Sequence, residues 1–130
     1  MRRKNGQFGR SSMNRISLLT TPNFVGIFEL DLAGVILYFR QNQMSLPKES
    51  NNYLVGQNFF EQVVDFENVQ DFRRRFKNFI SSRNSTENFL FECRSAKGNI
   101  PVRVLMLRAS EKKDNQLHDF VILDIRKTNN

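Results

Sequence analysis

The 130-residue sequence has one cysteine, one histidine, no tryptophan, three prolines and six scattered glycines. A lone cysteine, Cys93, excludes an intrachain disulfide and a Cys-rich zinc site. Scattered glycines provide no Gly-rich phosphate loop, and no His, Cys or carboxylate cluster has metal-ligand spacing. No apolar run approaches the ~18–20 residues of a spanning helix. The N-terminus, MRRKNGQFGRSSMNR, is basic but lacks the apolar stretch of a secretory signal, so the cytoplasm is the expected compartment.

What is present is an ordinary globular share of hydrophobic residues, 39%, with 13 phenylalanines among 15 aromatics. The length suits one domain with a real core. The net charge of +7 is unevenly placed. Residues 1–15 hold Arg2, Arg3, Lys4, Arg10 and Arg15 and no acid, whereas residues 16–130 hold 15 basic and 13 acidic side chains. The first 15 residues are therefore expected to be a disordered basic tail, open to weak contacts with nucleic acid, anionic lipid or an acidic partner. Residues 16–23 form a candidate N-terminal cap segment, and 24–127 the folded domain.

Phe24 to Asp31 (FVGIFELD) and Val35 to Arg40 (VILYFR) have strand composition, and Asp31-Leu32-Ala33-Gly34 between them predicts a hairpin turn. Residues 41–55 are polar and broken by Pro47, with room for a helical turn from Lys48 to Leu54. In VGQNFFEQVVDF, Asn58 is expected to cap a short helix that buries Phe59, Phe60, Val63 and Val64. Asp65 is expected to cap the next helix, whose apolar residues Phe66, Val69, Phe72, Phe76, Phe79 and Ile80 keep helical spacing. Glu67 near its start and Arg73, Arg74, Arg75 and Lys77 later suit its dipole. Those cations are expected to be its solvated face, because the nearby phenylalanines keep core spacing and leave no aromatic free to stack on bases.

After Asn84-Ser85 the period falls to two. Strands are predicted at 89–94, 100–109 and 117–126, with turns at 96–99 and 112–116. The order is two strands, short helices, one longer helix and a three-stranded meander.

From Gly26 to Ala109 the sequence resembles PAS domains, and within them photoactive yellow protein and its relatives. The residues that carry the likeness are GIFELDLAGVILYF at 26–39, VGQNFF at 55–60, Phe72 and Phe76, FLFEC at 89–93 and PVRVLM at 101–106. The resemblance implies an α+β fold: a five-stranded antiparallel sheet with helices packed on one face.

It also implies that the family's light chemistry is gone. In this register Phe66 stands at the chromophore cysteine, Phe39 at the tyrosine, Gln43 at the glutamate and Glu49 at a nearby arginine. No thioester chromophore is expected. Phe59 stands where flavin-binding relatives carry their reactive cysteine, so no flavin photocycle is expected. Haem is not expected either, since the one histidine, His118, lies on the last strand, pointing away from the helices. Cys93 alternates with Phe89 and Phe91 toward the helices as a small buried hydrophobe. His118 and Cys93 are therefore on opposite sheet faces and cannot form a Cys-His site. No catalytic residue and no metal site is expected, and the protein is read as a non-enzyme.

Two function classes remain. By alternation Val102, Val104 and Met106 share one face of strand 100–109 and Leu105 and Leu107 the other, and Val121, Leu123 and Ile125 share one face of strand 117–126 and Phe120 and Ile122 the other. The resemblance implies that the first set of each faces the helix-covered core and the second faces outward. A half-solvated antiparallel sheet should be polar on its outer face. Leu105, Leu107, Phe120 and Ile122 therefore mark an expected interaction surface, covered by Ile16, Leu18 and Leu19 or by a second protein chain. Because the last strand ends near Asn130, no fused output domain is expected, and signalling would go through a homodimer or a protein partner. The alternative is a sensor of a small apolar ligand. Its cavity wall would include Phe39, Gln43, Phe60, Phe66, Phe91, Cys93 and Met106, with Ile27, Met44, Val63, Val104 and Val121 beside them. Against that stands a core that the phenylalanines fill themselves.

Overall fold

The structure, a computed structural model, describes residues 24–41 and 54–128. The basic tail, the cap segment, Gln43, Met44, Glu49 and most of the Lys48–Leu54 turn lie outside the described residues.

Strands β1 (Gly26–Leu30) and β2 (Ile36–Arg40) pair antiparallel. The turn between them is built by Asp31, whose Oδ1 accepts the N–H groups of Ala33 at 3.0 Å and Val35 at 2.9 Å. Gly34 closes it at φ +96, a left-handed conformation, and a Cβ there would meet the Phe60 ring at 3.2 Å. Asn58 ties this turn to the helical layer. Its Nδ2 donates to Ala33 O at 3.1 Å, and its Oδ1 accepts the Phe60 N–H at 3.0 Å. Gln62 Oε1 accepts the Asn58 N–H at 2.7 Å, a reciprocal cap.

Asn58 is thus a cap, as its side chain predicts, but the turn that follows is wider than an α-helix. Phe59–Val63 is a π turn, and the Val64 N–H donates to Phe59 O at 3.2 Å. This turns Phe59, Phe60 and Val63 inward together. Helix α1 (Val69–Ser81) buries Phe72, Phe76 and Phe79.

Strands β3 (Thr86–Ser95), β4 (Gly98–Lys113) and β5 (Gln116–Lys127) complete one antiparallel sheet in the order β2-β1-β5-β4-β3. The helices cover one face, where Phe28, Leu30, Val102, Val104, Met106, Leu123 and Ile125 are buried. The expected five-stranded α+β architecture is therefore observed. No described helix is long and apolar enough to cross a membrane.

Four expectations change. Asp65 does not cap α1. Residues 64–68 run beside β3, where Glu67 N–H donates to Arg94 O at 2.7 Å, so the helix starts later, with Asn68 at its cap position. Ile27 does not join the cavity walls, because β1 alternation buries Phe28 and turns Ile27 to the other face. The last turn of α1 holds no basic residue. The strands β4 and β5 run past 109 and begin before 117 respectively. They form a ribbon that leaves the sheet and reverses at Asp114 (φ 53) and Asn115 (φ 63), the left-handed pair of a tight hairpin.

Candidate functional site

The interior between sheet and helices is where the expected cavity residues meet. Phe39, Phe60, Phe66, Cys93 and Met106 are buried, and Phe91 is half-buried. The phenylalanines among them belong to one network of rings. Phe28 stacks on Phe39 at 4.5 Å and meets Phe59 edge-on at 4.7 Å. Phe66 lies 5.1 Å from Phe24, 6.0 Å from Phe91 and 6.1 Å from Phe72. Phe72 is the hub, with Phe59, Phe60, Phe89 and Phe91 also within 6.1 Å of its centroid. Mixed edge-to-face and tilted contacts of this kind are the favoured ring geometries.

Cys93 shares that interior, paired across the ladder with Ile100. Burial pushes its thiol up from 9.0 to about 12. The folded state thus favours the neutral thiol, and its contribution to stability is present below about 9 and lost as pH rises toward 12. A maleimide added to native protein at pH 8 should leave Cys93 unlabelled, and the same reagent in urea should label it quickly. Fast native labelling would show that the interior opens.

Asn68 supplies a buried polar link that sequence periodicity does not reveal. Its Nδ2 donates to Glu92 O at 2.9 Å and its Oδ1 accepts the Arg94 N–H at 3.0 Å. Arg108 is the second residue missed. It follows Val102, Val104 and Met106 on the inward parity, and its guanidinium reaches the end of α1. Nη2 donates to Phe79 O at 2.7 Å, Ser82 O at 3.1 Å and Ile80 O at 3.2 Å, and the charge lies 5.1 Å from the Phe79 ring. The signal available in the sequence is a charged residue in core phase where the core ends.

The three arginines of α1 are engaged with carboxylates. Arg73 meets Glu61 at 3.1 Å, Arg74 meets Asp71 at 2.9 Å, and Arg75 meets Glu87 at 3.5 Å while lying 4.3 Å over the Phe89 ring. These contacts are partly or wholly exposed and individually worth little. They match a solvated face. Among the described residues no group of three or more His, Cys, Asp or Glu side chains is placed to hold a metal.

The outer face brings the four apolar residues together. Leu107 stands opposite Ile122, Phe120 opposite Ala109, and Leu105 opposite Asp124. All four are partly exposed. Glu29 lies beside Ile122, and Tyr38, 45% exposed, extends the patch onto β2. His118 is exposed opposite Glu111 on the ribbon.

No family model and no curated protein matches the chain. Solved structures do. The photoactive yellow protein domain from the sensor histidine kinase Ppr of Rhodospirillum centenum is 24% identical, at a TM-score of 0.57, over 82% of this chain and 92% of that one. The PAS domain of the Cronobacter turicensis quorum-sensing receptor RpfR, in complex with BDSF, is 17% identical, at a TM-score of 0.54, over 85% of this chain and 99% of that one. With the sheet order β2-β1-β5-β4-β3 and the helices on one face, these likenesses show that the chain has the PAS fold.

Proposed function

We propose that this protein is a non-enzymatic signalling module that acts by association through its outer sheet face. The observation that carries this reading is the patch of Leu105, Leu107, Phe120 and Ile122 on the face opposite the helices, with Tyr38 beyond Glu29 on the same face. Contiguous apolar surface on such a face marks a contact surface, and large central side chains dominate its energy. A second copy of the chain is the simplest occupant, since two-fold pairing of one patch with itself closes without leaving a free surface. Sedimentation of the parent at several concentrations should show a rising mean mass. Leu107→Asp and Phe120→Asp should weaken self-association by about tenfold or more, because each buries a charge in an apolar contact. Variants that associate like the parent would remove this reading.

A second reading, a sensor of a small apolar ligand, draws support from one observation: the similar RpfR PAS domain holds BDSF. The ring network favours a self-filled interior instead, and Phe66 offers no nucleophile for covalent attachment. Thioester chromophore, flavin and haem are accordingly not part of the proposed function. Native mass spectrometry of the purified protein tests this directly, through a retained extra mass or an absorbance band beyond those of Phe and Tyr.

A further inference from the structure

A sheet edge that carries an open row of main-chain groups is a template for another strand. Strand β3 is such an edge. Near its end the segment before α1 closes it, through Glu67 and Asn68 bonding to Glu92 and Arg94. Those bonds fix which groups face outward. The main chain of Glu92 and Arg94 does, so by the two-residue alternation that of Leu90, Asn88 and Thr86 does too. Among the described residues nothing pairs with these three positions.

The usual protection of an edge is missing here. The β3–β4 register runs from Thr86 to Ser95 without a bulge. None of Thr86, Asn88 and Leu90 is charged, none is proline, and Leu90 is 67% exposed. By contrast, the edges of the β4–β5 ribbon carry Glu111, Lys112, Lys113 and Asp119.

The surroundings select a chemistry. Leu90 pairs across the ladder with Arg103, and Arg103 with Arg126, which places two like charges directly opposite each other. Arg126 has Asp124 at 3.2 Å, but Arg103 has no ion-pair partner among the described residues. An open cleft of about 730 Å³ lies beside them, where Arg103, Arg126 and Lys127 outnumber one carboxylate, Glu92, among the lining residues. A second copy is disfavoured at this edge, because it would bring both sets of arginines together in a chain already at +7. Nucleic acid is disfavoured because the ring that lines the cleft, Phe91, is half-buried and packed against Phe66 and Phe72 rather than free to stack on a base.

We propose that the open edge of β3, from Thr86 to Leu90, takes an extended segment of an acidic protein partner as a sixth strand. An apolar residue of that segment lies on Leu90, and its carboxylates meet Arg103 and the neighbouring cations. This edge adjoins the outer-face patch, with Thr86 opposite Leu107 and Asn88 opposite Leu105, but its open main chain does not depend on self-association through that patch.

The test uses the full chain and a fluorescein-labelled seven-residue peptide with glutamate, valine and glutamate at positions two, four and six and threonine between them, so that valine and glutamates share one face, followed by anisotropy at low salt. Saturable binding is expected, with the amide resonances of 86–90 shifting on titration. Asn88→Pro removes an outward N–H without touching the β4 ladder, and Leu90→Lys removes the apolar contact. Each should weaken binding about tenfold or more at an unchanged thermal midpoint, whereas Leu117→Asp, out on the β4–β5 ribbon, should leave it as it was. A peptide with lysine in place of glutamate should bind at least about tenfold less tightly. The proposal is overturned if the parent does not bind, if the lysine peptide binds equally, or if both edge variants bind like the parent. It is equally overturned if duplex DNA or phosphatidylglycerol vesicles displace the peptide, which would make the surface a general anion patch. Should Asn88→Pro fail to fold, Leu90→Lys decides.

Discussion

Phe72→Ala is expected to cost about 3–5 kcal/mol, the range for removing a fully buried ring from a core that only partly relaxes. Phe72 has no solvent exposure, and five other rings surround it at 5.2–6.1 Å. Those rings come from the π turn, the following segment and β3, so a void at Phe72 loosens three elements at once. A domain of this size has only about 5–15 kcal/mol to lose. Urea unfolding followed by far-UV circular dichroism would show the midpoint falling sharply. Phe72→Leu should retain well over half of the lost stability, because it refills most of the volume. A loss below about 1 kcal/mol for the alanine variant would mean that the interior collapses around the site, against the close-packed ring network described above.

Arg108→Ala is the second large effect, expected at about 2–4 kcal/mol. Three terms contribute: charge-assisted hydrogen bonds to helix-end carbonyls, the favourable charge at the negative end of the dipole, and the contact with the Phe79 ring. Without the guanidinium, the carbonyls of Phe79, Ile80 and Ser82 lose a shared donor in a half-buried setting. Arg108→Lys should fall between parent and alanine, since the ammonium keeps the charge but loses the Nε bond to Asn84 O and the flat face over the Phe79 ring. If the lysine variant matched the parent, charge alone would account for the contact. If the alanine variant did, the contact would contribute nothing.

These two residues differ in how far the sequence reveals them. Phe72 is legible, because it sits in a run of apolar residues at helical spacing, and that spacing puts it inside. Arg108 is not, because the helix end that it serves lies 26 to 29 residues earlier in the chain. The same contrast recurs elsewhere. The Asp31–Gly34 turn and the Asn58 cap are local chemistry and can be foreseen. Asp65 looked like a cap for the same local reasons, yet the main chain there is claimed by β3, and pairing with a distant strand overrode a short-range preference. The meander followed from period two, but its lengths did not. Residues 110–119 are all exposed, and all but Leu117 are polar, so no burial pattern separates a strand in a free ribbon from a loop. Phe39, Phe60, Phe66, Phe91, Cys93 and Met106 were placed by family resemblance and do share one interior. Ile27, assigned with them, was displaced by the pleat of β1. The open edge of β3 had no sequence signal, since an unpaired main chain leaves no mark on composition.

The sheet order has a consequence for how the chain assembles. All five strands find a neighbour close by in sequence, through the β1–β2 hairpin and the β3–β4–β5 meander. The seam between β1 and β5 is different, because joining Leu30 to Val121 closes a loop of about 90 residues, and the entropy of closure must be met before any of its contacts form. The domain is therefore two locally stable halves joined along one seam that sits in the middle of the sheet. That seam should be the late step in folding and the early one in partial unfolding. Native-state hydrogen exchange would show it as lower protection at the Gly26–Leu30 amides than at Val102–Met106, and equal protection in both would count against a two-part assembly.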